Sequence, residues 1–146
     1  MTKPRCCVKL SILADKLPHI SFSESDYSNA MFALNFYTDL YEEILRSGRK
    51  SATIRLGDKS DKYQTGQLVW VTVGQKYGRR QKLFTAIIDS VDVKLLSEIS
   101  PRDISKENPE FRTIDEVVHF LQRLYGPEIS LDDTVTIIYF SPVSEY

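Results

Sequence analysis

Apolar and polar positions along this chain repeat with two periods, and the changes between them mark its elements. Leu68 to Val73 (LVWVTV) puts Val69, Val71 and Val73 on one face and Trp70 on the other, a strand with one β-branched side. Thr134 to Phe140 (TVTIIYF) predicts a final strand. Lys82 to Leu95 (KLFTAIIDSVDVKL) is longer than an ordinary strand and predicts either one long strand or one interrupted by a bulge. Met31 to Tyr37 (MFALNFY) predicts an aromatic-rich first strand, and Ala52 to Arg55 a short second one. Phe32, Phe36 and Phe140 are assigned to the core, and Trp70 to core or rim packing.

The helical period appears in Ile114, Val117, Val118, Leu121 and Leu124, with Thr113 and Glu116 as a capping box and Gly126-Pro127 as a stop. A shorter helix is expected from a Thr38 cap to about Leu45. Asp39, Glu42 and Glu43 favour its early turns, and Gly48 lies just past its end. LGDKSDKYQTG and GQKYGRRQ read as loops. Strands outnumber helices without strict alternation. An α+β fold with a mostly antiparallel, barrel-like sheet is therefore expected, over residues 31–146. Residues 1–30 lack periodicity and read as an N-terminal extension.

Composition narrows the class. With 146 residues, 42% hydrophobic and 27% charged, the chain suits a single globular domain. No apolar run approaches the roughly 20 residues that span a bilayer, so no membrane partner is expected. Lys9, Asp15 and Lys16 interrupt any signal-peptide core, which predicts a cytoplasmic protein. Cys6 and Cys7 are adjacent and offer neither a disulfide framework nor metal-ligand spacing. His19 and His119 complete no ligand set, so no metal and no cofactor are expected. His119 falls on the polar side of its helix.

Charge is unevenly distributed along the chain. Residues 46–82 carry ten Lys and Arg against Asp58 and Asp61, a net +8, while the rest of the chain carries −9. That segment suits an anionic or nucleotide-like partner, and a solvated basic surface equally. It opens with Gly48-Arg49-Lys50-Ser51-Ala52-Thr53-Ile54-Arg55. In a strand, Thr53 and Arg55 share a face, with Lys50 at the preceding turn. Thr53 can supply a nucleophilic oxygen if a base activates it. Lys50 can be that base when neutral, a state that burial and the nearby Arg49 and Arg55 favour. Backbone N–H groups of the Gly48 turn can serve as oxyanion donors. Thr53 can equally be a plain strand residue and Arg55 an internal ion-pair partner.

Gly48-Arg49-Lys50-Ser51-x-Thr53-x-Arg55 after a short helix, followed by YQTGQLVWV and a late Lys106-Glu107-Asn108, resembles the ASCH family. The resemblance covers about residues 31–142 and implies a small β-barrel related to the RNA-binding PUA domains. More narrowly, the layout is similar to ASCH enzymes that hydrolyse N4-acetylcytidine to cytidine and acetate. That likeness implies catalytic roles for Lys50, Thr53 and Glu107, with Glu110 close by in sequence. Arg49, Ser51, Arg55 and Tyr63 are the expected substrate-binding residues. Ser51 stands where the family commonly has threonine. The partner implied is a small-molecule nucleoside or RNA. The alternative is an RNA-binding ASCH/PUA-like module, with or without ribonuclease activity.

Overall fold

The computed structural model describes residues 32–37, 41–75 and 77–144. The extension 1–30, Cys6, Cys7, His19 and the Thr38 cap lie outside them. In chain order the elements are β1 (Ala33–Phe36), α1 (Tyr41–Arg46), β2 (Ala52–Leu56), β3 (Leu68–Gly74) and β4 (Arg80–Leu95). A 3₁₀ turn (Leu96–Glu98), α2 (Pro101–Glu107), α3 (Ile114–Tyr125) and β5 (Thr134–Pro142) complete them.

The five strands form one curled sheet in the order β1-β3-β4-β5-β2, antiparallel except for β1 against β3. Strand β4 is the spine, with its first half paired to β3 and its second to β5. Of the two forms expected for β4 the bulged one is found, with the irregularity between Ile88 and Ser90, and a second register shift lies in β3 at Val71/Thr72. Such an extra residue bends and twists its strand, which suits a sheet that curls into a half-barrel.

Alternation sorts side chains onto two faces. Val69, Val71 and Val73 join Leu34, Phe36, Ile138 and Phe140 in the core inside the curl. Ala52, Ile54, Val135 and Ile137 face the other way and pack under α2 and α3, on Ile104, Val117 and Leu121. Strand β5 is thus apolar on both faces, which explains its near-continuous β-branched run. Because Thr53 pairs with Ile138 and Arg55 with Thr136, those two side chains of β2 point into the curl.

Helix α3 matches its pattern, cap included. Helix α2, by contrast, falls in a segment where the sequence pattern predicts no helix. Pro101 occupies its first position, Ser100 Oγ accepts from the Asp103 N–H (3.1 Å), and Asp103 accepts from the Ser100 N–H (2.9 Å). Asp103 also accepts from the Tyr139 hydroxyl (2.7 Å) and from Lys94 (3.2 Å), which pins the start of α2 to β5 and β4. The last residue of this short helix is Glu107.

Candidate functional site

The half-barrel leaves a seam between its two edge strands, β1 and β2. Edge strands present backbone groups that must find partners once buried. On β2, alternation directs the Ala52 carbonyl and the Ile54 N–H toward the seam. Lys50 Nζ donates to the Ala52 carbonyl (2.8 Å), and the Ile54 N–H donates to Glu107 Oε2 (2.7 Å). On β1, the Ala33 carbonyl accepts from the Tyr63 hydroxyl (2.9 Å) and the Asn35 carbonyl from Arg55 (2.9 Å). Four side chains therefore do for this seam what a sixth strand would do.

Lys50 and Glu107 form the centre of that stitching. Nζ donates to Oε1 and to the main-chain carbonyl of Glu107, each across 2.7 Å. The carbonyl is one that the end of α2 leaves without an intrahelical partner, and a cation is favoured there. Both side chains are almost wholly buried. Lys50 also lies 4.8 Å from the Tyr41 ring centroid and 5.1 Å from that of Phe36. Burial lowers the Lys50 pKa to about 8; Glu107 opposes the fall and Arg55 adds to it. The Tyr41 phenol is pushed well above its usual range by burial and then by the Glu107 carboxylate, toward which its hydroxyl points at 3.5 Å.

Thr53 and Arg55 meet on their shared face, where Arg55 Nε donates to Thr53 Oγ1 (3.0 Å). The guanidinium continues to the Asn35 carbonyl and stacks over Phe36 at 5.2 Å. Arg55 thus bridges β2 to β1, and the ion pair of Glu107 is with Lys50 rather than Arg55.

A cleft of about 500 Å³ opens over this seam. Thr53, Ile54, Arg55 and Glu107 line its floor, with aromatic walls from Phe36, Tyr41, Tyr63 and Phe120. Its mouth carries Lys59, Lys62, Arg123 and Tyr125. That volume and mixture of apolar walls with a few convergent polar groups suit a small-molecule site. Lys50 does not line the cleft; it stands behind Glu107.

The remaining expected residues divide. Tyr63 lines the wall with its hydroxyl committed to β1. Arg49 lies on the exposed side of the turn, paired with Glu43 at 3.3 Å, and does not line the cleft. Ser51 does not line it either. Its N–H donates to the Lys106 carbonyl (3.1 Å) and its carbonyl accepts from Phe140 (3.0 Å), tying β2 to α2 and β5. Glu110 is exposed and does not line the cleft. The N–H groups of Gly48, Lys50 and Ser51 are spent on the Leu45, Ile44 and Lys106 carbonyls, which removes them as oxyanion donors in this arrangement. The sequence reading missed Asn35, Tyr41 and Arg123 at the cleft; their positions follow from the β1 edge, from the start of α1 and from α3, and no local motif marks them. Among the described residues no cluster of His, Cys, Asp and Glu could hold a metal, and no helix is long and apolar enough to cross a membrane.

No protein-family model and no curated protein matches the sequence. Solved structures do. One is a protein of Enterococcus faecalis V583 from the DUF984 family, 17% identical, covering 93% of this chain and 90% of that one, with a TM-score of 0.60. Another is an ASCH domain from Lactobacillus crispatus JV V101, 16% identical, covering 89% and 90%, with a TM-score of 0.57. At such identities the likeness is one of fold: the chain has the ASCH, PUA-like architecture that its motif implies.

Proposed function

We propose that the cleft binds an N4-acylated cytosine nucleoside and hydrolyses its exocyclic amide to the free cytosine base and the carboxylic acid. The observation that carries this reading is the convergence of Thr53, Arg55 and Glu107 on the floor of one aromatic cleft, with Lys50 hydrogen-bonded behind the glutamate.

All three Nζ protons of the Lys50 ammonium face acceptors, and none of these is Thr53. The lysine therefore becomes a base, with the proton kept in the site, by passing it to Glu107 along their 2.7 Å hydrogen bond. In a buried site the neutral pair that results avoids the cost of two desolvated charges. Neutral Lys50 then exchanges an acceptor for the Thr53 hydroxyl and takes its proton as Oγ1 attacks the acyl carbon. Glu107, now a carboxylic acid, protonates N4 as the C–N bond breaks. The amine leaves, the acyl group stays on Thr53, and the ion pair is restored. Water then cleaves the ester, returning a proton to Oγ1. Arg55, already donating to Oγ1, is the side chain assigned to stabilise the developing oxyanion.

The test is cytidine release from N4-acetylcytidine by the purified protein, beside Thr53→Ala, Lys50→Ala and Glu107→Gln. The wild type should turn over and each variant should lose at least about a hundredfold in kcat. A wild type that releases no cytidine overturns the assignment. A second reading, an RNA-binding ASCH/PUA-like module with or without ribonuclease activity, is supported by the PUA-like fold and the basic mouth. It predicts RNA affinity that falls steeply with salt and survives Thr53→Ala.

A further inference from the structure

Deacylation uses the floor of the cleft; the charge at its mouth has no part in that chemistry. Lys59, Lys62 and Arg123 all line the cleft, and no ion pair among the described residues engages any of them. The loop after β2 separates its charges. Lys59, Lys62 and Tyr63 line the cleft, whereas Asp58 and Asp61 do not. Asp58 is turned back on Ser60, accepting from its N–H (2.9 Å) and its hydroxyl (2.6 Å).

The lysines are also held in place. The Lys59 N–H donates to Oγ1 of buried Thr136 (2.8 Å), whose hydroxyl donates to the Gly57 carbonyl (2.6 Å). The N–H groups of Lys62 and Tyr63 both return to the Lys59 carbonyl (3.0 Å). Lys62 Nζ lies 5.5 Å from the Phe32 ring centroid and 5.3 Å from that of Tyr63, so its stem is laid along aromatic surface. Among the described residues the one carboxylate lining the cleft, Glu107, is already neutralised by Lys50. Three cations around one opening, with no counter-charge paired to them among the described residues, focus a positive potential that an anionic ligand would satisfy.

We infer that the substrate carries a phosphate ester: the cytosine end meets Thr53 and Glu107, and the phosphate is held by Lys59, Lys62 and Arg123. A phosphate offers several acceptor oxygens and up to two charges, which suits three separate N–H donors better than a neutral ribose does. The inference rests on the deacylation reading only for which end of the ligand enters first. A free nucleotide and an RNA strand present the same phosphate chemistry.

The test is calorimetric titration of the full chain with cytidine, cytidine 5′-monophosphate, inorganic phosphate and a short single-stranded RNA carrying one cytidine. The monophosphate should bind at least about tenfold tighter than cytidine. That advantage should shrink with added salt and disappear in Lys62→Ser/Arg123→Ser. Equal affinities for cytidine and its monophosphate overturn the inference. So does inorganic phosphate binding as tightly as the nucleotide, an advantage that survives the double substitution, or no binding of either nucleoside or nucleotide. RNA binding tighter than the monophosphate names a strand as the phosphate source; RNA no tighter names the free nucleotide. A phosphate advantage in a protein that releases no cytidine from N4-acetylcytidine separates this inference from the failure of the deacylation reading.

Discussion

Lys50 reaches Glu107 at two atoms, the carboxylate and the main-chain carbonyl, and so ties the turn after α1 to the last residue of α2 across 57 positions of sequence. Both ends of the contact are buried, so neither partner can be removed without stranding the other.

Lys50→Met should cost about 3–5 kcal/mol of folding free energy, because it leaves the Glu107 charge buried and uncompensated. Glu107→Gln should cost less, since the amide oxygen can still accept from Lys50 or from the Ile54 N–H. Urea titration of the variants measures both. A loss below about 1 kcal/mol for Lys50→Met, within the range of exposed pairs, would show that the pair is solvated in solution.

The depressed pKa of Lys50, about 8 against its ordinary 10.5, sets a pH dependence with a definite sign. Between those values the unfolded chain binds more protons than the folded one, so stability from this group rises with pH. The raised phenols Tyr41 and Tyr139 act in the opposite sense, but above pH 10. From pH 8 to 10, wild type should therefore gain on Lys50→Met, by about 1 kcal/mol per pH unit at the steepest. Denaturation of both proteins across that range gives the difference directly; a flat or falling difference contradicts the shift.

Arg55 holds the Thr53 oxygen and the β1 edge with one planar fork. Arg55→Lys keeps the charge but not the fork, so it should lose both contacts nearly as fully as Arg55→Met. Each charge-assisted bond is worth about 1.5–3 kcal/mol, and loss of a donor at the oxyanion should lower kcat about a hundredfold or more. Full activity in Arg55→Lys would remove the guanidinium from the chemistry.

Ser100→Ala removes the cap of α2 and should cost about 1 kcal/mol. Because Glu107 ends that helix, amide exchange should quicken in α2 before it does in α3. Uniform quickening would mean that the cap serves the whole domain.

Legibility in the sequence followed the range of each interaction. Strands β3 and β5, the unusual length of β4 and the capped α3 were readable because their periodicity and caps are local. Thr53 and Arg55 were readable as a pair for the same reason. Helix α2 was overlooked although Ser100-Pro101-Arg102-Asp103 carries a capping signal, because seven residues supply too few turns for an apolar stripe. The partnership of Lys50 with Glu107 followed from the family resemblance. That both bond to the free edge of β2 depends on strand order, which no local pattern encodes. Arg49 shows the converse: it sits inside the motif, yet its side chain lies outside the cleft.

The seam stitching has a consequence for descent. Since Lys50 and Glu107 complete a sheet edge, a relative lacking the proposed reaction would still be selected to keep them for folding alone. Their retention in another sequence therefore says little about activity. Thr53, whose hydroxyl is bonded only by Arg55 among the described residues, can drift once turnover no longer matters. It is at the threonine that working and retired members of such a lineage should part.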